Sequence, residues 1–419
     1  MKRYKTIVTI FVLIGLLVVT FGVQAESENR YFVKSGKAFW KNTFGARHVF
    51  EHGFSANLSD WQLKLAKVFN VDVEPIPTLQ ILPVEILQGP GLGLPLGMPE
   101  VSAPRKDRPT KPDRPAKTDR VTPEDQTPWG IEAIYSDADI ESTSGGKNVT
   151  VAVLDTGINK DHADLVRRIT QCGDFTHPRF AFRDGRCDDM NGHGTHVAGI
   201  IGADGGEDSL GIYGVAPEVS IWAYKVCDAG GSCWADDIAG AIQRAADQSV
   251  NIINLSLGSN VEIGMVTDAI DYAKERGVLV VVAAGNDGEE GKGTIDYPAA
   301  HEYAMSVGAF DSNHEVPEWS SRGINSDTDK YVKNAGDVEF AAPGVAIEST
   351  WKDGGYSTIS GTSMATPFIA GLAAKLWDGV DMTRTLLQGL AIDIWTDGDD
   401  DATGFGFPIV PDTTIKVTD

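Results

Sequence analysis

Positive charge is in short supply in this sequence of 419 residues, and the shortage is local. Residues 1–123 carry 17 basic side chains against 11 acidic ones, whereas the remainder carries 19 against 48. A domain that acidic repels nucleic acid and anionic membrane surfaces, so neither is expected as a partner, and its carboxylates suit calcium better. Cysteine is scarce as well, with four in the chain, all in the acidic part. Four cysteines allow three pairings. The two local ones, Cys172 with Cys187 and Cys227 with Cys233, are the expectation for an exported chain, with free thiols as the alternative. A zinc reading lacks its third residue, because His193 and His196 stand three apart with no glutamate beside them. The acidic stretch Asp397-Gly398-Asp399-Asp400-Asp401 lacks the glutamate an EF-hand needs at its twelfth position, where Pro408 stands. It reads as a solvated loop or a second ion site.

The chain's start fits export. Met1 to Lys5 is basic, Ile7 to Val19 is almost wholly apolar, and Val23-Gln24-Ala25 offers small residues to a signal peptidase. Residues 1–25 are therefore read as a leader, with an uncleaved membrane anchor as the alternative. Residues 26–82 read as a small α+β domain. Arg30 to Val33 is a strand, and Asp60 to Phe69 an amphipathic helix with Leu63, Leu65, Ala66 and Phe69 for one face. Ser59 is its N-cap, and Val71 to Glu74 an edge strand. Residues 83–124 read as a basic, Pro- and Gly-rich linker, extended and open to proteases. From residue 125 to 419 short apolar runs (Asn148–Leu154, Val219–Val226, Val250–Leu255, Val278–Ala283) alternate with helical stretches (His193–Ile201, Asp236–Gln248, Glu262–Arg276, Thr362–Trp377). That alternation predicts an α/β fold with a mainly parallel sheet covered on both faces. Its ligands should bind beyond the carboxyl ends of the strands, where Asp155 and the Ala283-Ala284-Gly285-Asn286 run fall.

The acidic domain is organised around Gly361-Thr362-Ser363-Met364-Ala365-Thr366-Pro367, a glycine-led turn that opens an apolar helix. A serine hydroxyl there can attack a carbonyl while unpaired N–H groups at the helix start stabilise the oxyanion. Upstream lie Asp155-Thr156-Gly157 and Asn191-Gly192-His193-Gly194-Thr195-His196, in the chain order Asp, His, Ser. Taken singly, each is an ordinary turn or cap. Together, over roughly residues 124–411, they resemble the subtilisin-like serine proteases, and several blocks look closest to sphericase-like and cold-adapted bacillar subtilisins.

That resemblance implies a three-layer α/β fold and a secreted endopeptidase working through an acyl-enzyme. Ser363 would be the nucleophile, His193 the general base, Asp155 its orienting carboxylate, and Asn286 an oxyanion donor. An extended peptide would pair with Ser256-Leu257-Gly258 on one side and the Tyr224-to-Trp234 segment on the other, with Trp234 at the rim of the S4 pocket. Ala283, Gly285 and Asp296 would line S1, and Asp296 stands where relatives commonly carry glycine. With Asp287 nearby, this predicts Lys or Arg at P1 and maturation by a cut after Arg120. The resemblance also implies a calcium site from Asp125 or Gln126, Asp164, and the loop of Asp208, Leu210 and Ile212. Residues 26–82 would be a folding chaperone and intramolecular inhibitor. The partners expected are protein or peptide substrates and this propeptide, for a monomer with no stable membrane association once the leader is cut. Phe368 departs from the family, which usually has histidine there. Two non-protease readings fare worse. A catalytically dead scaffold should lack a triad member, and a lipase or esterase should carry Gly-x-Ser-x-Gly, which Ser363 does not.

Overall fold

The computed structural model describes residues 30–82, the backbone of 85–86, 121–325 and 333–411. The expected leader and nearly all of the linker, Arg120 included, lie outside the described residues. The chain divides into two compact units, up to Ile76 and from Pro77 onward.

In the first unit four antiparallel strands lie in the order Val49–Phe50, Gly53–Asn57, Arg30–Val33, Val73–Pro75, with helices Ala38–Phe44 and Asp60–Val68. Its core is Val33, Trp40, Phe44, Phe54, Ala56, Leu58 and Ala66. The second helix starts at Ser59 as expected, and the Gln62 side-chain oxygen accepts the Ser59 N–H at 2.9 Å, one half of a capping box. Two expectations shift. Phe69 lies beyond the helix end and is largely exposed, and the edge strand begins at Val73, because the Val71 N–H instead donates to the Ala66 carbonyl at 2.9 Å and closes the helix.

The second unit holds an eight-stranded sheet. Its order is Phe340–Pro343, Met305–Phe310, Leu279–Ala283, Ile252–Leu255, Thr150–Asp155, Ser220–Lys225, Ile169–Asp174, Arg183–Asp184, and every pairing but the last is parallel. Continuous apolar runs such as Leu279–Ala283 are buried along their whole length, as strands covered on both faces must be. Helices His193–Gly202 and Thr362–Lys375 pack against each other, and Ala235–Asp247 packs against Gly264–Glu275. The expected element boundaries hold to within one or two residues, the usual scatter at frayed ends. Phe368 sits in the core at 1% exposure, its ring filling the space over Gly130 where a Cβ would collide with it. Packing there is accommodated. Strand order reverses at Thr150–Asp155, which has later strands on both sides, so a crevice opens at that strand's carboxyl end. Among the described residues no helix is long and apolar enough to cross a membrane.

Candidate active site

Asp155 is the last residue of the strand at that reversal, 1% exposed, and its Oδ1 accepts the Thr156 N–H at 2.6 Å. His193 is the first residue of helix His193–Gly202 and also 1% exposed. Its Nδ1 donates to the Asp155 carboxylate, 2.9 Å from both oxygens. Its Nε2 is buried with no hydrogen-bond partner among the described residues. Gly192 precedes it with φ 116°, and a Cβ there would fall 2.5 Å from the Trp351 ring, so only glycine fits.

A residue the sequence reading passed over ties these two segments together. The Asp189 carboxylate accepts the Thr156 hydroxyl at 2.9 Å, the N–H groups of Asn191, Gly192 and Thr195 at 2.8–3.0 Å, and the Thr195 hydroxyl at 2.6 Å. One buried carboxylate thereby fixes the start of the histidine helix against the end of the aspartate strand. An acidic residue a few places ahead of a helix start was the available signal. His196 plays a structural part: its Nε2 reaches the carbonyls of Ile347 and Ser357 at 3.0 Å, and burial pushes its pKa down to about 3.

Ser363 is the second residue of helix Thr362–Lys375. Four residues on stands Pro367, which has no N–H for the Ser363 carbonyl. The Ser256 hydroxyl supplies the missing donor at 2.9 Å, and the Ser363 hydroxyl donates in return to the Ser256 carbonyl at 3.0 Å. The helix that carries Ser363 is thus pinned to the Ser256-Leu257-Gly258 segment. Asn286 is held by its carbonyl end, which accepts the Thr362 N–H at 3.0 Å and the Thr362 hydroxyl at 2.9 Å. This turns its Nδ2 the other way, to 3.4 Å from the point where a Cβ on Gly361 would be. Glycine at 361, with φ 152°, keeps that space open.

The cleft contains a stretch of the chain itself. Strand Thr78–Ile81 is the middle strand of three, antiparallel to Ser232–Trp234 and to Leu257–Gly258. The Ile81 N–H donates to the Gly231 carbonyl at 2.9 Å, and Leu82, one residue further on, is 4% exposed. Buried Leu79 lines a small pocket with Val261, Ile263, Val266 and Tyr297, while Trp234 stands opposite Thr78 on the neighbouring strand. Beyond, the backbone of Glu85–Ile86 pairs with Ile359 and Ser360 just ahead of Ser363.

Asp296 is 3% exposed. Its carboxylate lies against the bare Cα positions of Gly258 and Gly285, where an added Cβ would come within 2.8 and 2.9 Å of it. No hydrogen bond or salt bridge reaches that carboxylate among the described residues, and burial, with Asp287 adding repulsion, pushes its pKa up to about 7. Ala283 is buried at the end of its strand, one residue before Ala284, whose carbonyl accepts the Asp296 N–H at 2.7 Å.

The proposed calcium residues converge in part. The Gln126 side-chain amide reaches the carbonyls of Ser209 and Gly211 at 2.8 and 2.9 Å, and fully buried Asp164 accepts the Ile212 N–H at 3.0 Å and the Tyr356 hydroxyl at 2.7 Å. Asp208 accepts the Leu210 N–H at 3.2 Å within the same loop, whereas Asp125 turns its carboxylate to the Thr127 N–H at 3.0 Å. Gln126 meets the loop through Nε2 here; with its Oε1 end turned to the loop, it would join the buried Asp164 carboxylate and the loop carbonyls in an oxygen donor set, which fits calcium. Both local disulfides are present, Cys172–Cys187 and Cys227–Cys233.

The sequence of residues 146–406 matches the profile of the Subtilase family. A curated "Subtilisin" from Bacillus sp. (strain TA39) is 39% identical over 448 residues, covering 98% of this chain and 100% of the relative. "M-protease" from Shouchella clausii (strain KSM-K16) is 36% identical over 328 residues, 77% of this chain and 78% of the relative. Among solved structures, "Sphericase" superposes with a TM-score of 0.67 at 47% identity, and "S41 Psychrophilic Protease" with 0.66 at 48%. Each alignment covers 69% of this chain and 99% of the other.

Proposed function

The chain belongs to the subtilase family and is a serine endopeptidase, and from that premise we propose which residues act and how the enzyme is made and restrained. The observation that carries the assignment is the His193 ring: Nδ1 bonded to Asp155, and Nε2 buried and left for a proton to come. Ser363 Oγ attacks the substrate carbonyl carbon as its proton passes to His193 Nε2. The oxyanion is met by Asn286 Nδ2 and the Ser363 N–H. His193 then protonates the departing amine nitrogen, leaving an acyl-enzyme that water hydrolyses by the same steps in reverse. Asp155 holds the Nδ1–H tautomer and stabilises the imidazolium. A fluorophosphonate probe should label the mature enzyme at Ser363 and fail to label Ser363→Ala. Label on another residue would displace this assignment.

The enzyme is made as a secreted zymogen: residues 1–25 the leader, 26–82 the propeptide, 83–124 a linker removed on maturation, and 125–419 the catalytic domain. What supports the inhibitory part is strand Thr78–Ile81, paired in the cleft as a peptide substrate would pair. The domain from about residue 121 expressed alone should give little activity, and the 26–82 fragment added in trans should rescue folding and, in excess, inhibit. Full refolding without it would refute the chaperone role.

Gln126, Asp164 and the Asp208–Ile212 loop would hold calcium, with Asp125 as the second N-terminal candidate; the ion would supply a cross-link between these segments and no chemistry. Asp296 at the base of S1 favours Lys or Arg at P1, which supports a maturation cut after Arg120. Its lack of a protein partner supports the reading, because a buried carboxylate gains most from a substrate cation. An inhibitory strand continuing into Leu82 is compatible with this, since near neutral pH much of the Asp296 population is uncharged.

A further inference from the structure

The disulfide Cys227–Cys233 joins two fully buried residues six apart. The short loop it closes meets three different parts of the cleft. At its root the Cys227 N–H donates to the backbone carbonyl of Asp155 at 3.1 Å, beside the Val226 N–H at 2.8 Å. On its flank the Ala229 carbonyl accepts from Asn191 Nδ2 at 3.1 Å, and Asn191 Oδ1 accepts the His193 N–H at 3.2 Å. At its far end the Gly231 carbonyl and strand Ser232–Trp234 form the edge that pairs with Thr78–Ile81. Inside the loop Asp228 Oδ1 accepts the N–H groups of Gly230 and Ser232 at 2.8 and 3.0 Å, and the Asp228 N–H donates to the Ser232 carbonyl at 2.9 Å. The result is a miniature hairpin with a covalent link at its neck.

We propose that the Cys227–Cys233 disulfide is a positioning element for the substrate, holding the peptide-pairing edge Gly231–Trp234 at a set distance from the Asp155 strand end. This rests on the cleft reading given above. A peptide that binds as an added strand draws its affinity from main-chain hydrogen bonds. Those bonds are worth most when the receiving edge is already ordered, because any ordering left to the moment of binding is subtracted from affinity. Tying the loop at its neck removes that cost for substrate residues two to four places before the scissile bond. The first residue before the bond lies against Ser256 and gains little from it. The second disulfide, Cys172–Cys187, instead joins strand Ile169–Asp174 to the segment ahead of Asp189 and serves as a control.

The test uses the full chain, matured, in four forms: unchanged, Cys227→Ser with Cys233→Ser, Cys172→Ser with Cys187→Ser, and Asp228→Ala. The last loosens the loop with the disulfide intact, so a result follows even if the first double variant does not fold. Fluorophosphonate titration counts working sites, and each form is assayed on a peptide reaching four residues before the scissile bond and on a single-residue ester. Removing Cys227–Cys233 should raise KM for the peptide about tenfold per titrated site, the shift expected if ordering the loop costs ~1.4 kcal/mol. The ester should respond several-fold less. Asp228→Ala should shift the peptide KM in the same direction by less, and the Cys172/Cys187 pair should lower Tm without that split. A lowered Tm with unchanged peptide KM, or equal losses on both substrates, overturns the proposal. If the unchanged enzyme does not label at Ser363, the site reading itself falls and takes this proposal with it.

Discussion

Asp155 and Asp296 are both buried carboxylates of one cleft, 1% and 3% exposed, and their surroundings are opposite. Asp155 accepts the N–H of its own neighbour Thr156 and both carboxylate oxygens face His193 Nδ1, so its oxygens are engaged by groups fixed in the fold. No hydrogen bond or salt bridge reaches the Asp296 carboxylate among the described residues, and burial, with repulsion from Asp287, raises its pKa to about 7. The same residue type is therefore hydrogen-bonded into the fold in one place and without a hydrogen-bond partner in the other. The Asp155 carboxylate is engaged before substrate arrives, with Asp189 and its donors as a further brace, and His193 Nε2 is left without a partner among the described residues. On the proposed reading of Asp296 the specificity side is left unsatisfied for the substrate to complete.

The sharpest way to break the contrast is to remove the fixed carboxylate. Asp155→Asn should lower kcat/KM by ~10⁴ with little change in Tm, because an amide cannot hold the Nδ1–H tautomer; a loss below tenfold in peptide hydrolysis would show that His193 needs no such partner. Next in size is Asn286→Ala. Turnover should fall ~10²–10³, the loss known for the oxyanion asparagine of subtilisin. KM should move much less, and a reverse split would assign Asn286 to ground-state binding. Calcium probes a third buried carboxylate, Asp164. An ion at a hundred times its Kd contributes ~2.7 kcal/mol, so chelation should lower Tm and speed autolysis, and Asp164→Ala should reproduce much of that. An unchanged melting curve in chelator would take calcium out of the account.

The smallest effect concerns Asp296, and it depends on pH. Its carboxyl is raised from 3.8 to about 7, so the folded chain keeps a proton that the unfolded chain releases. This group's contribution to stability is therefore lost as pH rises from about 3.8 through about 7, and Asp296→Asn should flatten that slope. Over the same upper range ionisation should strengthen the preference for Lys or Arg over Leu at P1. Asp296→Gly should weaken that preference by about tenfold or more, on the scale of a charged hydrogen bond of ~1.5–3 kcal/mol. Equal or better cleavage after Phe or Leu by the unmutated enzyme above pH 8 would sink the S1 reading.

The elements and the motif chemistry were open to reading from the chain alone, because both are written in short-range pattern. Buried parallel strands must be continuous apolar runs, as at Leu279–Ala283, and a glycine-led turn into a helix at Gly361 or Gly192 is visible as residue order. The candidate catalytic residues follow from those motifs, although Asp155 and His193 stand 38 residues apart before the fold joins them. The tertiary structure alone decided what surrounds each group. Asp189 became a hub because the strand end and the helix start it bonds arrive from different parts of the chain. Ser256 replaced the donor that Pro367 denies to Ser363 across 107 residues, and the edge at Ser232–Trp234 gained Thr78–Ile81 from some 150 residues upstream. Asp296 could be placed at the pocket by likeness, but its lack of a partner could not. A carboxylate's charge state depends on the solvent and donors removed from around it, and no local stretch of sequence records what the rest of the fold takes away.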